Sequence, residues 1–86
     1  MENSTIRGPA FIGKGSKIIN SYIGPFTSIG DNCVIENSEI EYSVILDNVR
    51  IEGVSMMDSL IGNNSNVIRG KKWTKLIIGE NSRVEV

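Results

Sequence analysis

The chain has 86 residues, 9 basic and 10 acidic side chains, a net charge of −1, one cysteine and no histidine. That length allows one small domain, and the balanced charge gives no general electrostatic case for nucleic acid or an acidic membrane as a partner. A single cysteine excludes an internal disulfide and a multi-cysteine zinc cluster, and no apolar run approaches the ~20 residues of a membrane span.

The N-terminus, MENSTIRGPAF, has no basic segment followed by an apolar one, so no signal peptide is expected. From these absences the expectation is a cytoplasmic protein with no nucleic-acid or membrane partner. Residues 1–5 read as a ragged start, in keeping with a domain cut from something longer, with Met1 as an added start.

From Ile6 onward a large aliphatic residue returns every five or six positions. The series runs Ile6, Ile12, Ile18; Ile23, Ile29, Ile35; Ile40, Ile45, Ile51; Met57, Ile61, Val67; then Ile78 and Val84. A small residue sits two positions before most of these anchors, as at Ala10, Ser16, Ser21, Thr27, Cys33, Ser38, Ser43, Ser55, Ser59, Ser65 and Ser82. An amphipathic helix needs apolar residues at i, i+3, i+4 and i+7, and one long strand needs unbroken alternation. The pattern instead fits short strands of two inward residues joined by corners, the hexapeptide repeat of a parallel β-helix. Residues two apart on a strand point the same way, so anchor and small partner both face a narrow interior.

Three anchors make one triangular coil, and equivalent anchors recur about 16–17 residues apart, as at Ile12, Ile29, Ile45, Ile61 and Ile78. Gly15, Asn32, Asn48, Asn64 and Asn81 recur at one offset, and Asn20, Asn37 and Gly53 at another. Gly and Asn accept a left-handed backbone, so both columns mark corners. The repeat is interrupted between Val67 and Ile78, where residues 69–75 are expected to leave a corner as a protruding loop. The whole predicts one all-β domain over 1–86: a single-stranded parallel β-helix of about five short triangular coils. One coil alone buries too few aliphatic side chains to offset the entropy of ordering it, so the coils fold only by stacking.

The residue before each anchor should face solvent. On one face these are Phe11, Ser28, Val44, Leu60 and Ile77, with Leu46 beside them. The second face carries Thr5, Tyr22, Glu39 and Met56, and the third Lys17, Val34, Arg50, Asn66 and Arg83. The first is much the most apolar, and contiguous exposed apolar patches mark interaction sites. Phe11, Val44, Leu46, Leu60 and Ile77 are therefore the candidate interface, for a second copy of the chain or for another domain.

Several motifs are weaker. Gly8 to Gly15 nearly spells a phosphate loop, but Gly15 stands where Ser or Thr should hold magnesium, and no helix pattern follows. Lys71, Lys72, Trp73 and Lys75 form a basic, aromatic cluster, a candidate ligand loop for a nucleotide or sugar phosphate. Cys33 occupies a small inward position and reads as a buried structural thiol. Glu36, Glu39, Glu41, Asp47 and Glu52 read as solvated carboxylates. The two sequons, at Asn3 and Asn63, are read as chance matches.

Three stretches carry a family resemblance: Ile6-Arg-Gly-Pro-Ala-Phe-Ile-Gly, Ser21-Tyr-Ile-Gly-Pro-Phe-Thr-Ser-Ile-Gly and Ile35-Glu-Asn-Ser-Glu-Ile-Glu-Tyr-Ser-Val-Ile-Leu. With Leu60-Ile-Gly and Ile78-Gly-Glu-Asn-Ser-Arg-Val, they resemble the C-terminal tail of long-form glucose-1-phosphate thymidylyltransferases, sugar nucleotidyltransferases. The resemblance implies a left-handed β-helix, although parallel crossovers are otherwise almost always right-handed. It places the magnesium-dependent chemistry in a separate N-terminal domain whose G-x-G-T-R-L loop this sequence lacks. No catalytic residue, metal ligand or cofactor site carries over onto this chain.

The resemblance thus implies a non-catalytic β-helix serving oligomerisation, stability or regulation, with a second copy or the N-terminal catalytic domain as partner. Two alternatives stand beside it. One is a nucleotide or sugar-phosphate binding module built on residues 71–75. The other is a hexapeptide-repeat acyltransferase working without the family's histidine base.

Overall fold

The computed structural model describes residues 3–68 and 77–85, and among them every regular element is a short strand. The first coil comprises β1 (Thr5–Ile6), β2 (Ala10–Ile12) and β3 (Lys17–Ile19). The second comprises β4 (Tyr22–Ile23), β5 (Thr27–Ile29) and β6 (Val34–Glu36), and the third β7 (Glu39–Glu41), β8 (Val44–Ile45) and β9 (Arg50–Glu52). The fourth comprises β10 (Ser55–Met57), β11 (Leu60–Ile61) and β12 (Asn66–Ile68). Two strands of a fifth follow, β13 (Ile77–Ile78) and β14 (Arg83–Glu85). Residues 69–75, read as a protruding loop, lie outside the described residues.

Each strand pairs in parallel with its equivalent one coil away, giving three sheets ordered β1-β4-β7-β10, β2-β5-β8-β11-β13 and β3-β6-β9-β12-β14. The register stacks Ile12, Ile29, Ile45, Ile61 and Ile78 in one column. Ile18, Ile35, Ile51, Val67 and Val84 form a second. Ile23, Ile29, Ile35, Ile40, Ile51 and Ile61 have no solvent exposure, so the interior is a continuous aliphatic stack. The opening coil is looser, with Ile6, Ala10 and Ile12 only half-buried against that stack. It nonetheless begins inside the stretch read as ragged. Ser4 Oγ donates to the Ile18 carbonyl at 3.2 Å and accepts from the Ser21 N–H at 3.1 Å.

The third column corrects one register assignment. Ile6, Ile23 and Ile40 stack with Met56, not Met57. Met56 is fully buried and Met57 half-buried, and Val54 takes the small inward place assigned to Ser55. Ser55 is the outward residue on that strand, and its hydroxyl donates to Glu39 at 3.2 Å. The corner decides this. Gly53 has φ of +65°, and in every coil the residue of positive φ is followed by the small inward side chain and, three positions on, by the anchor.

The inward serines do more than fit a narrow space. Ser38 Oγ donates to the Glu36 carbonyl at 2.8 Å and accepts from the Val54 N–H at 3.1 Å. Ser43 repeats this with the Glu41 carbonyl and the Ser59 N–H, and Ser21 with the Ile19 carbonyl and the Ser38 N–H. A corner turns its amide away from the strand ladder, and a buried amide without a partner is costly. The hydroxyl supplies that partner. Among the described residues no buried side-chain nitrogen or oxygen is left without one.

The corner after the second sheet's strands is the tightest. A Cβ on Gly30 would lie 2.8 Å from the Leu46 carbonyl carbon and closer still to the Asp47 carboxylate. Gly30→Ala therefore forces two coils apart, and a cost of about 1–3 kcal/mol is expected for such overpacking. A urea titration checks this; an unchanged midpoint would mean that the corner yields freely.

Candidate interaction face

The ladder register places Phe11, Ser28, Val44, Leu60 and Ile77 in one outward column on β2, β5, β8, β11 and β13. Each immediately precedes an inward anchor, so alternation along the strand turns it to solvent. Ile77 is 69% exposed, Phe11 63%, Val44 43% and Leu60 42%. Leu46 lies at the corner just past β8 and is also exposed. The five residues expected to form an apolar face are thus together and open to water. Only Ser28 interrupts the column, and it is half-buried.

The structure adds an aromatic corner to this face that residue type did not indicate. Phe26 and Tyr42 have φ of 57° and 50°, a region that bulky side chains rarely occupy. Both are exposed, and their rings stack with centroids 5.6 Å apart and planes inclined by 24°. They precede the inward Thr27 and Ser43 on adjacent coils, so the corner geometry is imposed by the coil and the rings are directed outward. Beside them an open cleft of about 430 Å³ is lined by Pro9, Ala10, Phe11, Phe26, Thr27 and Ser28. Its walls are mostly apolar, with Thr27 and Ser28 as the polar members, and two hydroxyls are few groups with which to fix a small polar ligand.

The other two faces are polar. On the third, Arg50 lies 3.5 Å from Glu36 and 3.8 Å from Glu52, pairs exposed enough to contribute little stability. On the second, the Tyr22 hydroxyl donates to Glu41 at 3.2 Å. Desolvation, that hydrogen bond and the carboxylate's charge hold the phenol above its ordinary pKa. Asp47, read from sequence as merely solvated, has a structural task. Its carboxylate accepts from the Asp31 N–H at 2.8 Å, while Asp31 accepts from the Lys14 N–H at 2.8 Å. This side-chain ladder explains the carboxylates at that corner.

The near phosphate loop dissolves into the same repeat. Gly15 has φ of +72°, as a corner requires, and Gly13 packs directly against Gly30. Among the described residues no group of three or more His, Cys, Asp or Glu side chains is placed to hold a metal ion. Lys71, Lys72, Trp73 and Lys75, the candidate ligand loop, lie outside the described residues. Among the described residues, no helix is long and apolar enough to cross a membrane.

Cys33 is fully buried, and its thiol donates to the Leu46 carbonyl at 3.0 Å. Burial pushes its pKa up. A raised folded value means that the thiol's contribution is fully present below the ordinary thiol range and is lost as pH rises through the folded value. Native protein is therefore expected to resist thiol reagents at neutral pH and to label readily in urea. Its urea midpoint should fall at alkaline pH, with less of that fall in Cys33→Ser. Rapid labelling of folded protein would show that the thiol is accessible.

Residues 2–86 match the family model described as the GMPPB C-terminal domain. The chain belongs to that family. It is 47% identical over 88 residues to a glucose-1-phosphate thymidylyltransferase of Streptomyces antibioticus, covering 98% of this chain and 25% of the relative. It is 39% identical over 90 residues to the protein of that name from Streptomyces griseus, again 25% of the relative. A bifunctional protein GlmU of Helicobacter pylori is 34% identical over 94 residues, covering 93% of this chain and 22% of the relative. The chain thus spans about a quarter of the length of these curated relatives. Family, relatives and a parallel solenoid agree on a C-terminal β-helix domain of the sugar nucleotidyltransferase type.

Proposed function

We propose that this chain is a non-catalytic assembly domain of a sugar nucleotidyltransferase, a glucose-1-phosphate thymidylyltransferase by its relatives, whose apolar face holds protomers together. The observation that carries this reading is the outward column of Phe11, Val44, Leu60 and Ile77, all exposed on an otherwise polar solenoid. Leaving such a contiguous apolar surface in water is unfavourable, and monomers rarely keep one without a partner. Nucleotidyl transfer, with its magnesium, is assigned to sequence outside this chain. One feature supports that division: the glycine-rich stretch from Gly8 to Gly15 is accounted for by the coil corners. The missing histidine counts instead against acyl transfer by this chain. The proposal places the protein in the cytoplasm and gives it no nucleic-acid or membrane partner.

The test is the solution mass by light scattering over a concentration series. A stable multimer is the expected result. A monomer at every concentration would overturn self-assembly as the role of this face.

A further inference from the structure

The reading above leaves open which surface meets the face and in what orientation. Building on it, we propose that the occupant is a second copy of the chain, packed with its solenoid axis antiparallel about a two-fold axis through the third coil. A two-fold contact is self-complementary, so the residues on the axis meet themselves. The third coil presents Tyr42, Val44 and Leu46 on this face, all large hydrophobic side chains and all exposed, with Asp47 at its far corner. It is the coil best able to lie against its own image.

Such an axis sets the first coil against the fifth of the second copy, and the second against the fourth. The two ends of the face differ in a way that matches. At one end the cleft opens between Phe11 and Ser28, walled by Pro9 and Phe26. At the other, Leu60 and Ile77 project on adjacent coils, with Ile77 the most exposed large apolar residue on the face. The antiparallel arrangement brings this projection over that cleft, twice per pair.

Charge selects the same orientation. The residue before the positive-φ corner position is Lys14 in the first coil and Glu80 in the fifth, and both are exposed. The two-fold sets Lys14 beside Glu80 of the second copy, and Asp31 beside the neutral Asn63. Asp47 alone meets its own kind there, with its carboxylate turned along the stack to the Asp31 N–H. Phe26 meets Asp58 of the second copy at the rim, where the positive edge of an aromatic ring tolerates a carboxylate. A parallel two-fold arrangement would instead set Tyr42 against Asp47 and leave Lys14 without an acidic partner.

The experiment measures self-association by sedimentation equilibrium for the unaltered chain, Lys14→Glu, Glu80→Lys, the double exchange and Leu60→Asp, each checked for fold by circular dichroism. The unaltered chain is expected to be a dimer. Each single charge exchange puts two like-charge contacts into the pair and is expected to weaken it about tenfold; the double exchange should restore it. If Leu60→Asp dissociates the assembly but the double exchange rescues nothing, the antiparallel pairing is wrong while the assembly face stands. A mass of three protomers overturns the two-fold in the same way. If Leu60→Asp leaves the assembly intact, the face itself is not the contact, and both readings fall.

Discussion

Ile29→Asp is expected to abolish folding at neutral pH. Ile29 sits in the aliphatic column between Ile12 and Ile45, in the second coil, and has no solvent exposure. Removing a buried isoleucine side chain costs about 2–5 kcal/mol in transfer and cavity terms. An aspartate there adds a charge with no cation within the stack, and an unpaired buried charge costs several kcal/mol more. The whole stability of a chain this long is of the order of 4–13 kcal/mol at typical values per residue. The sum of the two costs reaches that range. The aspartate can avoid ionisation only by protonation, so its folded pKa would be raised, and the loss should ease as pH falls below the carboxylate range. Circular dichroism with urea titration at pH 7 and at low pH measures this, with Ile29→Val, expected to cost about 0.5–1.5 kcal/mol, as the control. A cooperative transition near the wild-type midpoint at pH 7 would show that Ile29 is not enclosed.

The effect is large because the solenoid has no second core. Each of the first four coils contributes one anchor to each of three columns, and an inner coil's anchors are covered by the coils above and below. A break at Ile29 removes the cover from Ile12 on one side and Ile45 on the other. It also interrupts the ladder in which the Gly13 N–H donates to the Ile29 carbonyl at 2.8 Å. Solenoid stability is a sum over such neighbour contacts, so a second coil that cannot close isolates the first coil, which cannot stand alone, and uncovers the edge of the third.

The columns were legible in the sequence because isoleucine at a fixed interval has no other economical explanation. The Asn corners were legible for a related reason, since few residue types accept a left-handed backbone. Met56 shows where this legibility stops. Two methionines stand side by side after Ser55, and residue type does not say which is inward. The corner does: Asn20, Asn37 and Gly53 each precede an anchor by three positions, which selects Met56. Phe26 and Tyr42 were hidden for the opposite reason. Aromatic side chains argue against positive φ, so nothing in their type marks a corner. Their separation by one coil was the available signal, and the stacked rings are its consequence. The serine ladder was half visible. Smallness could be read from the repeat, but that each hydroxyl serves the amide of the next coil depends on corner geometry, which no periodicity encodes. The structural task of Asp47 was hidden on the same ground, because a carboxylate in an exposed turn looks merely solvated until the amide it accepts from is seen.

Leu60→Asp is expected to have the contrasting effect, dissociating the assembly while leaving the coil folded. Leu60 and Ile61 are adjacent on β11, yet one is 42% exposed and the other fully buried. A charge at Leu60 meets water in the free protomer and therefore costs the fold little, within the ±0.5 kcal/mol typical of surface substitutions. In the proposed assembly the same charge would be enclosed among apolar side chains with no partner, and truncations or charges within an interface core commonly cost 2 kcal/mol or more. That corresponds to at least about thirtyfold weaker association, since each 1.4 kcal/mol is a factor of ten. Light scattering should show the monomer mass at concentrations where the unaltered chain remains assembled, with circular dichroism and urea midpoints nearly superimposable. The comparison isolates orientation from composition: Ile29→Asp and Leu60→Asp each replace one aliphatic residue of the same sheet by the same charge. If Leu60→Asp unfolds the protomer as Ile29→Asp does, the residue is not outward in solution and the apolar face is part of a core. If it neither unfolds nor dissociates, the protomers meet elsewhere on the solenoid, and the polar faces bearing Glu39 or Arg50 become the surfaces to alter next.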